Sequence, residues 1–171
     1  EDICEVMRVC TDRCFSMSRF ITRFADVVKI PEPHLVPVNL NDLVFSCKRF
    51  MEGMCTDRNI TITLDIDEEL GEVKLDVALF EQVLVNIIKN AAESIEQNGE
   101  IKIRTYSPGG IEVADNGKGI TKETEAKLFS PFFSTKPNGQ GIGLIFIREV
   151  LMRHGCSFSL RTYADGWTRF R

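Results

Sequence analysis

Apolar residues near the start of the chain fall at Ile3, Met7, Cys10, Cys14, Met17, Ile21, Phe24 and Val28, with spacings that alternate four and three. This heptad seam predicts a long, coiled-coil-like helix over residues 1–29. A partner helix would cover the seam, or the helix lies on its own globular unit. Pro31, Pro33 and Pro37 forbid continuation, so residues 30–38 read as an interdomain linker. Beyond them "NLNDLVFSCKRFMEGMCTDRN" has helical periodicity, with Asn39 or Asn41 as its cap. "ITITLDI" alternates as a strand does. Asp76 opens a helix running to about Gln97, where Asn98-Gly99 stops it. "EIKIRTY" and "GIEVAD" flank Ser-Pro-Gly-Gly and predict a hairpin. A short helix from Thr121 to Phe129, a helix from Gly143 to Arg153, and strands in "SFSLRT" and "TRF" joined through Asp165-Gly166 complete the chain. Helices and strands mix without regular βαβ alternation. The expected class is α+β: a two-layer sandwich over residues 39–171, its mixed sheet covered on one face by helices.

Composition narrows the classes. The 171 residues are 43% hydrophobic and 27% charged, as in a globular chain with a real core. A net charge of −4 argues against a general nucleic-acid binder or an anionic-membrane surface protein. No apolar run reaches the ~20 residues of a membrane span. Six cysteines without metal-ligand spacing read as reduced, small apolar side chains, which favours a cytoplasmic setting. The chain begins Glu-Asp-Ile-Cys, with neither an initiator Met nor a signal peptide, as expected of a piece of a longer protein.

The helix around "NIIKNAAESI" carries two asparagines, Asn86 and Asn90, although asparagine competes for backbone hydrogen bonds. Asn86, Asn90 and Glu93 fall within about 60° of one another on a helical wheel, beside an apolar face. Two readings stand. The amides satisfy backbone groups in the core, or they edge a cavity where a neutral carbonyl oxygen can ligate Mg²⁺ beside a polyphosphate.

Two glycine-rich loops follow. "EVADNGKGI" places Asp115 at a strand end, where a carboxylate can accept from an exocyclic amine such as adenine N6. Gly117 and Gly119 would let the backbone approach a planar base, or they simply make a turn. "STKPNGQGIGL" leads Gly139, Gly141 and Gly143 into a helix start, where exposed N–H groups bind phosphate, with Lys136 upstream. A flexible connection is the plainer alternative.

The order of these pieces is more specific than any one of them. Asn-x-x-x-Asn on a helix, Asp-x-Gly-x-Gly after a strand, Phe-x-Pro-Phe-Phe from Phe129 to Phe133, and Gly-x-Gly-x-Gly opening a helix occur in sequence. They resemble the N box, first glycine box, F box and second glycine box of the ATP-binding catalytic domain of bacterial sensor histidine kinases. That Bergerat-type superfamily also holds gyrase B, the large heat-shock chaperone and the MutL mismatch-repair protein. "GWTRF" resembles the last glycine box, with Trp167 where a second glycine is usual. The resemblance covers residues 39–171, and residues 1–29 look like the second helix of the dimerisation and phosphotransfer hairpin.

The resemblance implies ATP and Mg²⁺ as cofactors, with Asn90 as the metal ligand and Asn86 beside the phosphates. It implies that Asp115 reads adenine N6, sharing an ordered water with Thr168, and that Gly117, Gly119, Ile120 and Leu144 line the nucleotide. Lys136, Gly139, Gly141 and Gly143 would meet the phosphates, and residues 134–140 would be a lid rooted on Phe132 and Phe133. Asn86 stands where the ATP-hydrolysing branches carry a water-activating glutamate, which favours phosphoryl transfer to an imidazole over hydrolysis. The acceptor histidine is expected upstream of residue 1. His34 lies in the proline linker, and His154 suits a helix end followed by Gly155 at C′. The implied partners are a response regulator and a second copy of the chain. A nucleotide-gated interaction module and an anti-sigma-type serine kinase are the alternative readings.

Overall fold

The structure, a computed structural model, describes residues 3–28, 30–130, 133 and 142–171, and omits the side chains of 19, 20 and 23–28. Helix α1 (Ile3–Val28) precedes strand β1 (Val36–Asn39) and helix α2 (Leu40–Thr56). Asn39 caps α2: its side-chain oxygen accepts from the N–H groups of Asn41 at 2.9 Å and Asp42 at 3.3 Å. Leu40, Leu43, Val44, Cys47, Met51 and Cys55 form the buried stripe of that helix. Burial pushes the Cys47 thiol up to about 11, Glu81 adding to it, so this cysteine is an inert core side chain. The apolar reading holds for Cys47 and Cys55, whereas Cys4, Cys10, Cys14 and Cys156 are exposed.

Strands β2 (Ile60–Asp65) and β3 (Glu72–Leu75) lead to helix α3 (Val77–Ile95), the asparagine helix. Asp76 caps α3 by accepting from the Leu79 N–H at 3.1 Å. The helix ends where Glu96 and Asn98 take positive φ values of 68° and 58°. Strands β4 (Gly99–Tyr106) and β5 (Gly110–Asp115) make the expected hairpin. Then follow a single-turn helix α4 (Lys122–Glu125), shorter than the sequence suggests, helix α5 (Gly143–Arg153), and strands β6 (Leu160–Thr162) and β7 (Thr168–Phe170).

The five-stranded sheet runs β2-β4-β5-β7-β6. β2 lies parallel to β4, and the other neighbours are antiparallel. The parallel pair exists because α3 intervenes between the two strands as a crossover, a βαβ unit the sequence pattern did not separate. Ile101 and Ile103 point inward from β4 under Ile88 of α3 and Ile147 of α5, all at most 1% exposed. Glu100, Lys102, Arg104 and Tyr106 alternate outward on the uncovered face. Helices on one face of a mixed sheet are the architecture the pattern predicted.

The proline segment is more than a linker. Ile30 is buried in the core, and β1 pairs antiparallel with β3, Pro37 opposite Lys74. Two four-residue strands, one carrying a proline, leave too little alternation for a sequence signal. α1 approaches α5, yet its described seam stays open: Ile3, Met7, Met17 and Ile21 are 62–75% exposed. Phe24 and Val28 lie outside the described side chains. No described helix is long and apolar enough to cross a membrane.

Candidate nucleotide-binding site

The strand register brings three polar side chains into one row. Asp115 of β5 stands opposite Thr168 of β7, and Thr168 stands opposite Thr162 of β6. Inward-facing positions along these strands are otherwise apolar, so the row closes one end of a cavity roofed by α3. The cavity measures about 230 Å³. Drug-sized pockets run to roughly 300–1,000 Å³, so this one suits a single planar ring system. Ala91, Val113, Leu144, Leu160 and Phe170 are among its apolar walls.

Asp115 is 6% exposed and Thr168 3%. The Asp115 carboxylate accepts from the Gly117 N–H at 3.0 Å and from the Ser94 hydroxyl. Burial outweighs both bonds and pushes the carboxyl above its ordinary value. The Thr162 hydroxyl accepts from the Ile120 N–H at 2.7 Å and lies 2.9 Å from the Thr168 hydroxyl. Together these bonds orient a carboxylate and a hydroxyl into an otherwise apolar slot. That arrangement fits a flat heteroaromatic ring bearing an exocyclic amine.

For Gly117 the structure adds a reason beside the two the sequence offered, and for Gly119 it shows the turn. A Cβ on Gly117 would lie 2.6 Å from the Ser94 carbonyl carbon and 2.7 Å from its oxygen, so the loop lies against α3. Lys118 N–H bonds that same oxygen at 3.2 Å. Gly119 has φ of +76°, and a Cβ there would press on Thr162 at 3.2 Å. Gly117→Ala is expected to cost about 1–3 kcal/mol of stability, because backbone must move to admit the methyl group. A thermal melt at the wild-type value would count against this packing.

The asparagines divide. Asn90 lines the cavity. Asn86, one turn earlier, is not on the wall, and its amide donates to the Gln82 carbonyl at 3.0 Å. Glu93 is off the wall as well, 4.0 Å from Lys89. Ser94 takes the place expected of Glu93, a residue missed although it continues the four-residue spacing from Asn86 and Asn90. Lys118, Thr121 and Thr124 also line the cavity and carried no distinctive signal.

Among the remaining expected residues, Gly119, Ile120 and Leu144 join the wall, and Gly143 stands at the first turn of α5 without lining it. Ile142 precedes α5 and offers no capping side chain. The first N–H groups of that helix therefore have no side-chain acceptor from the cap position. Lys136, Gly139, Gly141, Phe132 and the lid segment lie outside the described residues. Among the described residues of the F segment, Phe129 packs edge-on against Phe158 at 5.1 Å, and Phe158 stacks on the wall residue Phe170 at 6.4 Å. Trp167 sits under the Lys102 ammonium, 4.4 Å from the ring centre, and does not line the cavity.

Residues 75–171 match the family described as histidine kinase-, DNA gyrase B-, and HSP90-like ATPase. The sensor histidine kinase ZraS of Escherichia coli K12 is 30% identical over 90% of this chain and 33% of its own length. The C4-dicarboxylate transport sensor protein DctS of Rhodobacter capsulatus is 32% identical over 88% of this chain and 24% of its own. The chain thus spans about a third or less of the curated relatives it matches. Among solved structures, the catalytic domain of histidine kinase ThkA superposes with a TM-score of 0.72 at 31% identity, over 80% of this chain and 92% of that one. The motif order, the sheet with its single helical layer and the acid-ended slot under α3 agree with these likenesses: this chain belongs to the histidine kinase-, gyrase B- and HSP90-like ATPase family, as a sensor-kinase catalytic domain.

Proposed function

We propose that the chain binds Mg·ATP and transfers its γ-phosphoryl group to a histidine outside these residues, for relay to a response-regulator aspartate. The observation that carries this reading is the buried Asp115–Thr168 pair at the closed end of a base-sized cavity whose wall also holds Asn90. Asp115 accepts from the adenine amine, and the apolar walls hold the ring. The phosphates run toward the start of α5, which Lys136 and Gly141 precede in the sequence. Asn90 supplies a neutral oxygen that fits Mg²⁺, which when bound neutralises phosphate charge. Among the described residues no three of His, Cys, Asp and Glu cluster, and an ion held mainly by phosphates and water needs none. Asn86 cannot accept a proton as a general base, which favours transfer to an imidazole over hydrolysis.

The test is incubation of the full-length protein with γ-labelled ATP. An acid-labile, base-stable phosphoprotein is the expected product. An acid-stable phosphate would assign the serine-kinase reading, and no label despite nucleotide binding the interaction-module reading.

We further propose that the exposed seam of α1 pairs with a second copy of the chain. Met17→Asp combined with Ile21→Asp is expected to give a monomer by sedimentation with nucleotide affinity unchanged. A monomeric wild type would rule the pairing out.

A further inference from the structure

Asp76 makes four hydrogen bonds that join three separate parts of the chain. Its Oδ1 accepts from the Leu79 N–H at 3.1 Å and caps α3. Its Oδ2 accepts from the His34 N–H at 2.9 Å and fastens the proline segment. Its own N–H donates to Nε2 of His154 at 3.0 Å, at the far end of α5. A fourth bond, from the Phe80 N–H to the Asp76 carbonyl at 2.9 Å, opens the α3 ladder. The bonds to the carboxylate, Leu79's first, hold it below its ordinary value, so it is charged at neutral pH.

The partners of His154 assign its tautomer. An amide N–H can only donate, so Nε2 carries no proton. The Val150 carbonyl, 2.7 Å from Nδ1, can only accept, so Nδ1 carries the proton. The ring also packs edge-on against Phe80 of α3, its centre 5.5 Å away. His154 is thus a neutral imidazole that bridges the C-terminus of α5 to the N-terminus of α3. These two helices supply Asn90, Ala91 and Leu144 to opposite sides of the cavity.

We propose that Asp76 and His154 are positioning residues: their junction sets the spacing of α3 and α5 across the nucleotide cavity and couples that spacing to the segment that follows α1. The lever is simple. α5 has 11 residues. At 1.5 Å per residue a tilt of about 4° about its pinned end moves the cavity end by about 1 Å, enough to degrade alignment of a phosphoryl group. Because coupling free energies are reciprocal, nucleotide in the cavity must in turn tighten the hold on His34. The proposal rests on the nucleotide reading of the cavity.

Three variants test it, with Mg·ADP as probe. Asp76→Asn keeps a side-chain oxygen for the α3 cap, but one amide oxygen cannot serve both Leu79 and His34. Amide exchange at residues 32–36 without nucleotide is expected to quicken about tenfold, the effect of losing one charge-assisted bond. His154→Leu keeps the contact with Phe80 and leaves the Asp76 N–H unpaired. Mg·ADP affinity by calorimetry is expected to fall about fivefold to tenfold. His154→Gln, whose amide oxygen can accept from Asp76, is expected to restore most of that affinity. In the wild type, Mg·ADP slows exchange at His34, and Asp76→Asn abolishes the effect. Unchanged exchange in Asp76→Asn, equal affinities of His154→Leu and wild type, or Gln no better than Leu would each overturn the junction. A wild type that binds no nucleotide would overturn both the cavity reading and the junction, and is told apart from those outcomes at once.

Discussion

Asp115→Asn is expected to weaken nucleotide binding by roughly 1–3 kcal/mol, the cost of a mispaired buried polar group, while leaving the unliganded protein at least as stable at neutral pH. The two effects have opposite signs because burial raises the carboxyl pKa in the folded state. A carboxyl raised on folding contributes stability that is present below its unfolded value and lost as pH rises through the folded value. At neutral pH the free protein therefore carries a buried charge at a cost, and the amide removes that cost. An adenine amine would stabilise the carboxylate, so binding draws on the charged form. Wild-type affinity is accordingly expected to fall as pH drops through the raised carboxyl value, and the Asn variant to lose that slope. Calorimetry as pH drops through that value, with melts of both free proteins, checks the pair of signs. Equal pH slopes in wild type and variant would remove Asp115 from the base.

Asn90→Ala is expected to lower phosphoryl transfer about 100-fold or more, the scale for a misplaced metal and phosphate. Binding of the adenine end persists: affinity for ADP in a chelator stays near wild type. Asn86→Ala is expected to do far less, because the Asn86 amide is spent on the Gln82 carbonyl and lies off the cavity wall. Label transfer by the full-length protein and calorimetry with and without Mg²⁺ separate the two asparagines. Equal losses at both positions would contradict the placement of the cavity on the Asn90 side of α3.

The sequence alone determined much of this protein. Strong local signals are short-range: Asn39 and Asp76 hydrogen-bond N–H groups two or three residues on, so both helix starts were legible; the α3 cap is where the pattern put it, and Asn39 is the one of the two α2 candidates, Asn39 and Asn41, that caps. The β4–β5 hairpin and α5 were legible for the same reason, as were the family's ordered motifs. Long-range pairing was not. β1 and β3 are four residues each, and their pairing spans more than thirty positions of chain, so nothing local announces it. The parallel placement of β2 against β4 depends on the path of α3, not on either strand.

Within the site, residue types at motif positions located Asp115, Asn90 and Thr168, but only the register set Asp115 opposite Thr168 and Thr168 opposite Thr162. Helical spacing placed Asn86 and Ser94 about 40° to either side of Asn90 and Glu93 about 60° from it, which alone did not say which flank of Asn90 faces the cavity. The approach of the 116–119 loop made that choice, and it also supplied a packing reason for Gly117: the backbone of Ser94 occupies the space a side chain would need. Tertiary structure likewise turned His154 from a helix-end residue into a bridge between α5 and α3, because its acceptor nitrogen meets an N–H that is 78 positions away in the chain.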